Sequence, residues 1–161
     1  MTFKTSLDGL AKGITISVII VFSLIIVGQL VPSYGVDPVG SVFLSGVLVA
    51  ICLFCALFSP MSYELTNESL IIHRLFSDIT IKRKDILTVR EVSKSDMLLT
   101  ARIFGVGGLF GYFGRYSNHK IGKLNMYATR RNNTVLVETG NKKIILTPDD
   151  PRELVHQLMG V

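Results

Sequence analysis

Thr134-Val135-Leu136-Val137-Glu138-Thr139-Gly140-Asn141-Lys142-Lys143-Ile144-Ile145-Leu146-Thr147-Pro148-Asp149-Asp150-Pro151-Arg152-Glu153-Leu154-Val155 changes its hydrophobic period once. Thr134–Thr139 and Lys142–Thr147 are rich in β-branched and aliphatic residues and read as two strands. Gly140-Asn141 between them suits a two-residue primed hairpin turn. Asp150 then stands where a helix N-cap belongs, with Pro151 at the first helical position and Glu153 at the third. Leu154, Val155, Leu158 and Met159 follow at helical spacing and give one apolar face. The chain therefore closes as strand, turn, strand, amphipathic helix.

Upstream the strand pattern continues. Tyr63 and Leu65, then Leu70 and Ile72, alternate with polar residues around the turn Asn67-Glu68-Ser69. Ser77-Asp78 makes a second turn, after which Ile79 and Ile81 begin a third run. Ile86, Val89 and Val92 suggest a fourth, and Asn125–Arg131 a fifth. With the last two, this predicts about seven short antiparallel strands. A sheet of that size must curl and cover its open end to bury enough surface, and the C-terminal helix is placed to do so.

The rest of the chain is different in kind. Over all 161 residues the mean hydropathy is +0.47, 48% of residues are hydrophobic and the net charge is +5. The hydropathy is concentrated in two uncharged runs, 19 residues over Gly13–Val31 and 21 over Val39–Ser59. As helices they extend roughly 28 and 31 Å, enough for a bilayer core of about 30 Å. The link Pro32-Ser33-Tyr34-Gly35-Val36-Asp37-Pro38 reads as the tight turn of a helical hairpin. It carries no Lys or Arg, whereas Lys4 and Lys12 precede the first run and 15 Lys and Arg follow the second. By the positive-inside rule both termini are cytoplasmic, with Tyr34 and Asp37 outside. The first run ends without a small-x-small cleavage pattern, so it is read as a retained anchor. Expected boundaries are a cytoplasmic tail 1–12, spans 13–31 and 39–60, an external loop 32–38, and a cytoplasmic domain 61–161. Small residues four apart (Gly13 and Ser17, Ser41 and Ser45, Gly46 and Ala50) would let the spans pack together or against a second copy, so a homo-oligomer is compatible with the pattern. Neither span holds an ionisable residue of the kind that marks an ion or substrate pathway. Cys52 and Cys55 form a C-x-x-C in the second span. Surrounded by Leu53, Phe54 and Leu57, they read as small apolar residues rather than a redox or metal pair.

The opening run Tyr63-Glu64-Leu65-Thr66-Asn67-Glu68-Ser69-Leu70-Ile71-Ile72, the later Tyr127-Ala128-Thr129-Arg130-Arg131-Asn132-Asn133-Thr134 and the terminal strand–strand–helix motif resemble bacterial pleckstrin-homology (PH) domain proteins, many of which carry paired N-terminal spans. The resemblance covers Ser62–Met159. It implies a seven-stranded bent antiparallel sheet or barrel capped by a C-terminal α-helix, below a membrane α-helical hairpin in a bacterial inner (plasma) membrane. In lipid-binding eukaryotic relatives the loop between the first two strands is basic and grips phosphoinositides. Here that loop is Asn67-Glu68-Ser69, short and acidic, so phosphoinositide binding does not carry over.

Charge points to a different segment. Arg102–Arg131 contains Arg102, Arg115, Lys120, Lys123, Arg130 and Arg131 and no acid, a net +6, while Ser62–Ala101 sums to zero and Asn132–Val161 to −1. Within it, Ile103-Phe104-Gly105-Val106-Gly107-Gly108-Leu109-Phe110-Gly111-Tyr112-Phe113-Gly114 alternates glycines with large apolar groups and fits no regular helix or strand. Phe104, Leu109, Phe110, Tyr112 and Phe113 are candidate contacts for the bilayer surface, for a protein partner or for the helix ends, with the basic residues meeting anionic lipid headgroups. The alternative is that the aromatics fill the mouth of the barrel and the basic residues are solvated. The glycines do not match G-x-G-x-x-G, and no P-loop Lys-Ser/Thr follows. A basic patch also attracts nucleic acid, but a tethered domain of modest charge without a known motif argues against it. His73, His119 and His156 lack metal-ligand spacing, and Asp149-Asp150 is explained by helix capping. No catalytic residue, cofactor site or metal site is expected. The expected role is a non-catalytic interaction module that scaffolds or regulates a protein partner. A surface sensor of anionic lipid is the alternative.

Overall fold

The structure is a computed structural model that describes residues 1–29 and 37–160. The expected turn at 32–36, with Tyr34, falls outside the described residues. Strand β1 (Thr2–Lys4) leads into helix α1 (Gly9–Gln29); α2 (Pro38–Phe58) follows. The domain then runs β2 (Pro60–Leu65), β3 (Ser69–Arg74), β4 (Ile79–Lys82), β5 (Ile86–Val92), a single-turn α3 (Lys94–Met97), β6 (Thr100–Gly108), β7 (Gly111–Asn118), β8 (Gly122–Ala128), β9 (Thr134–Thr139), β10 (Lys143–Leu146) and α4 (Pro151–Met159).

α2 is apolar along its whole length and α1 beyond Lys12 up to Gln29, and both are almost unburied: only Ala11 and Thr15 of α1 and Cys55 of α2 are buried. Each has the length and composition to cross a membrane. Asp37 caps α2 by accepting from the Gly40 amide at 2.9 Å, and Asp8 caps α1 by accepting from the Ala11 amide at 2.7 Å. A β-carbon on Gly13 or Gly46 would meet nothing within 4 Å, so neither glycine is required by a close contact within the chain.

The domain is two open sheets. One has order β1-β2-β3-β4, the other β5-β9-β10-β8-β7-β6. The count of seven strands is corrected to ten among the described residues, and the all-antiparallel expectation to one that includes a parallel pair, β8 with β10. β10 slots between β8 and β9, so the hairpin turns back into the gap left by the preceding connection. The three added strands are β1, too short to show a pattern, and the hairpin β6–β7, whose glycines hide its period. β8 also begins and ends three residues earlier than expected, because the chain breaks at Thr129–Arg131 to reach the N-terminal segment. The β9–β10 hairpin forms as expected, but its turn is not primed: neither Gly140 nor Asn141 has positive φ. Thr139 instead clamps it, its hydroxyl accepting from the Lys142 amide at 3.1 Å and donating to the Lys142 carbonyl at 3.0 Å.

The core lies between the sheets. Tyr63, Leu70, Ile72, Val135, Val137, Leu146 and Leu154 are fully or almost fully buried in one cluster. The Tyr63 hydroxyl ties the sheets together, donating to the Tyr127 carbonyl at 2.6 Å and accepting from the Thr147 amide at 3.1 Å. Burial pushes its pKa up, so it remains the neutral donor. Helix α4 closes one end. Asp150 accepts from the Glu153 amide at 3.1 Å, Gly160 ends the helix at φ +70°, and Leu154 plugs the core. Its apolar face is Leu154, Val155 and Leu158; Met159, expected there, is exposed. Phe3 of β1 enters the same core opposite Tyr63, so the residues before α1 belong to the domain fold.

Candidate functional site

The glycine- and aromatic-rich stretch is a long hairpin, β6–β7, with Leu109-Phe110 as its turn. Its glycines are spacing devices. Gly105 and Gly114 face each other across the strands, both at strongly positive φ, and a β-carbon on either would overlap a backbone carbonyl of the other strand. The turn is fastened to the long helices. Phe110, itself at φ +57°, donates its amide to the Thr15 hydroxyl at 2.9 Å and takes the Ser59 hydroxyl on its carbonyl. The Thr15 hydroxyl also reaches the Gly108 carbonyl at 3.4 Å. Leu109 and Phe110 thus sit half-buried where α1 begins and α2 ends.

Behind the turn, residues from distant parts of the chain converge on Asp8. Its carboxylate caps α1, accepts from the Arg131 amide at 3.1 Å and receives the Tyr112 hydroxyl at 3.4 Å. Next to it Ser6 and Asp149 are joined, and Arg130 bridges Asp149 and the Ser6 carbonyl. The helix bases and the domain are therefore one continuous hydrogen-bonded structure. Sequence patterning does not bring Asp8, Thr15 and Ser59 together. Asp8 alone carries a local signal, an N-cap residue directly before an apolar helical run.

The strand register divides the candidate residues between two faces of the six-stranded sheet. Phe104 opposes Arg115, which opposes Asn125; Ser117 opposes Lys123; Phe113 opposes Tyr127. These lie on the face turned toward the four-stranded sheet. Phe113 is buried, Phe104 is 77% exposed, and Arg115 and Lys123 are exposed. On the other, outer face Arg102 opposes Tyr116, and Tyr112 opposes Ala128. Tyr112 and Tyr116 are buried there with Leu124, Met126, Leu136, Ile145 and Ala11. Arg131 stacks over the Tyr112 ring, its guanidinium carbon 5.1 Å from the centroid. Two of the six cations are already paired, Lys120 with Asp96 at 2.6 Å and Arg130 with Asp149. The segment that is continuous in sequence is not one surface.

A cavity of about 430 Å³ opens on the outer face, between β6–β8, α3 and the 130–131 segment. Burial raises the pKa of both tyrosines in its wall, so they stay neutral. At the far side of the domain the first sheet carries a polar network: His73 bridges Glu64 at 2.9 Å and Asp78 at 2.8 Å. Among the described residues no three His, Cys, Asp or Glu groups are placed to hold a metal ion. The short acidic loop around Glu68 lies at the end of β2 remote from α2, and Glu68 spends its carbonyl on the Arg83 amide at 2.8 Å.

Two apolar helices joined to a sheet-rich domain that a C-terminal helix closes define an interaction module of PH-like fold. The model of the bacterial PH domain matches residues 61–161, and the chain belongs to that family. Searches of curated proteins and of solved structures return no match. Domains of this class bind lipids or proteins and are generally non-catalytic.

Proposed function

We propose that the chain is a membrane-tethered, non-catalytic PH-like module that scaffolds or regulates another protein at the cytoplasmic face of a bacterial inner membrane. The observation that carries this reading is the β6 edge of the six-stranded sheet. β6 is the last strand of that sheet, nine residues long, with Ile103 57% and Phe104 77% exposed. An open edge with apolar side chains is a template for a partner strand or for a second copy. Two further facts support tethering. α1 and α2 expose apolar side chains along their length, which water would not tolerate. β1 before α1 pairs with β2 after α2, so the two flanks of the hairpin share one side. That 15 of the 17 Lys and Arg follow α2 supports the cytoplasm as that side.

The second reading, contact with anionic lipid, is favoured by the β3–β4 turn. The Phe76 amide donates to the Leu57 carbonyl at 3.1 Å, and Phe76 packs on Phe58 with ring centroids 5.5 Å apart. If α2 spans, the exposed Leu75 and Phe76 stand at the level of its last turn beside Arg74, in the interfacial layer. A photo-crosslinking residue at position 104 of the full chain in native membranes separates the two readings. The first expects a light-dependent protein adduct from 104 and none from 141, an exposed position in the β9–β10 turn. Lipid adducts alone at 104 would overturn it in favour of the second.

A further inference from the structure

We propose that the outer-face cavity is a binding site for a phosphate-bearing anion. Its volume, about 430 Å³, lies in the range of small-ligand pockets. Four cationic side chains line it; Arg130 is neutralised by Asp149, which leaves three from three separate elements: Lys94 at the start of α3, Arg102 on β6, and Arg131 beyond β8. No carboxylate lines it. Among the described residues none of these three side chains has an ion pair, in contrast to Arg130 and Lys120, and the partner of Arg131 is the neutral Tyr112. The acids around it are spent: Asp8 on the Ala11 and Arg131 amides and the Tyr112 hydroxyl, Asp149 on Arg130 and Ser6, and Asp96 on Lys120. Three like charges around one cavity repel, and an anion within it removes that cost.

The arrangement is also shaped in advance. The Arg131 guanidinium is held over Tyr112. Arg102 lies against Gly107, where a β-carbon would come within 3.0 Å of its Nη1, so glycine there makes room for the guanidinium. The tyrosines offer no counter-charge. Both are neutral, and Tyr116 donates to the Val106 carbonyl. Two guanidinium forks and an ammonium match the oxygens of a phosphate group. Met97, Leu98 and Met126 provide apolar wall for the carbon skeleton attached to it. The site differs from the edge and the β3–β4 turn invoked above and is independent of them.

A free phosphorylated molecule and an anionic phospholipid headgroup share this chemistry, and the test separates them. The full chain is placed in nanodiscs of phosphatidylcholine and titrated with inorganic pyrophosphate. In parallel it is placed in nanodiscs with increasing phosphatidylglycerol. Thermal unfolding is the readout. A saturable rise in melting temperature with pyrophosphate identifies a free ligand; a rise with phosphatidylglycerol alone identifies the headgroup. In either arm Arg102→Gln and Arg131→Gln each weaken binding about tenfold or more. Arg115→Gln and Lys123→Gln, on the opposite face, leave it unchanged. Gly107→Val, which displaces Arg102 without removing charge, reproduces the loss and guards against a purely electrostatic or folding effect. Absence of a shift with both probes overturns the proposal. So does an equal loss in Arg115→Gln or Lys123→Gln. The pyrophosphate arm needs no membrane contact by the domain, so its outcome is separable from the tethering reading.

Discussion

The two faces of the six-stranded sheet are built from the same strands and differ in how they are covered. Over β9 and β10 the inner face is sealed by the four-stranded sheet and α4, while toward β6 it leaves Phe104, Arg115 and Lys123 exposed. Val135, Val137 and Leu146 have no exposure there, and a tyrosine hydroxyl bridges the layers. The outer face is covered only in part, by Leu7 and Ala11 at the foot of α1 and by Met97 of α3. What remains is the cationic cavity. The inner face shows what a sequence needs in order to fold. The outer face shows what a tethered domain can keep open once its fold is secured elsewhere and its helix foot serves as a lid.

The largest effect that tests this contrast is in the cores. Leu146→Ala, on the inner face, should lower stability by about 2–5 kcal/mol, because a rigid two-layer site cannot collapse around the void. Leu124→Ala, equally large and 4% exposed on the outer face, should fall at about 2 kcal/mol, since the neighbouring cavity lets the wall relax. Thermal unfolding of both variants in detergent decides it, and equal losses would break the comparison. Next in size is Gly114→Ala. Its positive φ and the facing Phe104 carbonyl leave no place for a methyl group, and about 1–3 kcal/mol should be lost. Gly140→Ala, in the β9–β10 turn with nothing within 4 Å, should stay within about 0.5 kcal/mol of wild type. Asp8→Ala removes the α1 cap and the anchors of Tyr112 and Arg131 together. It should cost about 1–2 kcal/mol, and amide hydrogen exchange should rise at the 108–111 turn while the inner-face strands stay protected.

The same contrast governs how much of the fold is legible in the amino-acid sequence. On the inner side, period and punctuation agree. Val135 and Val137 alternate with Leu136, Thr139 to Lys142 is a turn in composition, and Asp150-Pro151 starts a helix, so β9, β10 and α4 fall where the sequence places them. On the outer side, Gly105, Gly107, Gly108, Gly111 and Gly114 interrupt the alternation that marks a strand. Their reason is a cross-strand carbonyl, the Arg102 guanidinium or the Ile14 side chain, none of which is local in sequence. The basic run 102–131 is visible as charge, but its division into a paired pair, an inner-facing pair and the cavity pair Arg102 and Arg131 depends on the bulge between Arg102 and Phe104 and on pairing register. Lys94 lies outside that run, and only the fold joins it to Arg102 and Arg131.

The smallest effect separates both faces from the polar surface. His73 has its pKa raised above the usual 6.5, first by its hydrogen bond with Glu64, which together with Asp78 outweighs the opposing effect of burial. The protonated imidazole is therefore the form the folded state favours. Its stabilisation is complete below the unfolded value and is lost as pH rises through the higher folded one. The group is a third exposed, so screening by solvent holds the effect to a few tenths of a kcal/mol. The melting temperature should drift down slightly from pH 6 to pH 9, and His73→Gln should flatten that drift. Because His73 touches neither face of the six-stranded sheet, Leu124→Ala should leave the slope of the drift intact. A slope that changes with Leu124 would mean that the outer face communicates with the first sheet, and that the two faces are not separately built.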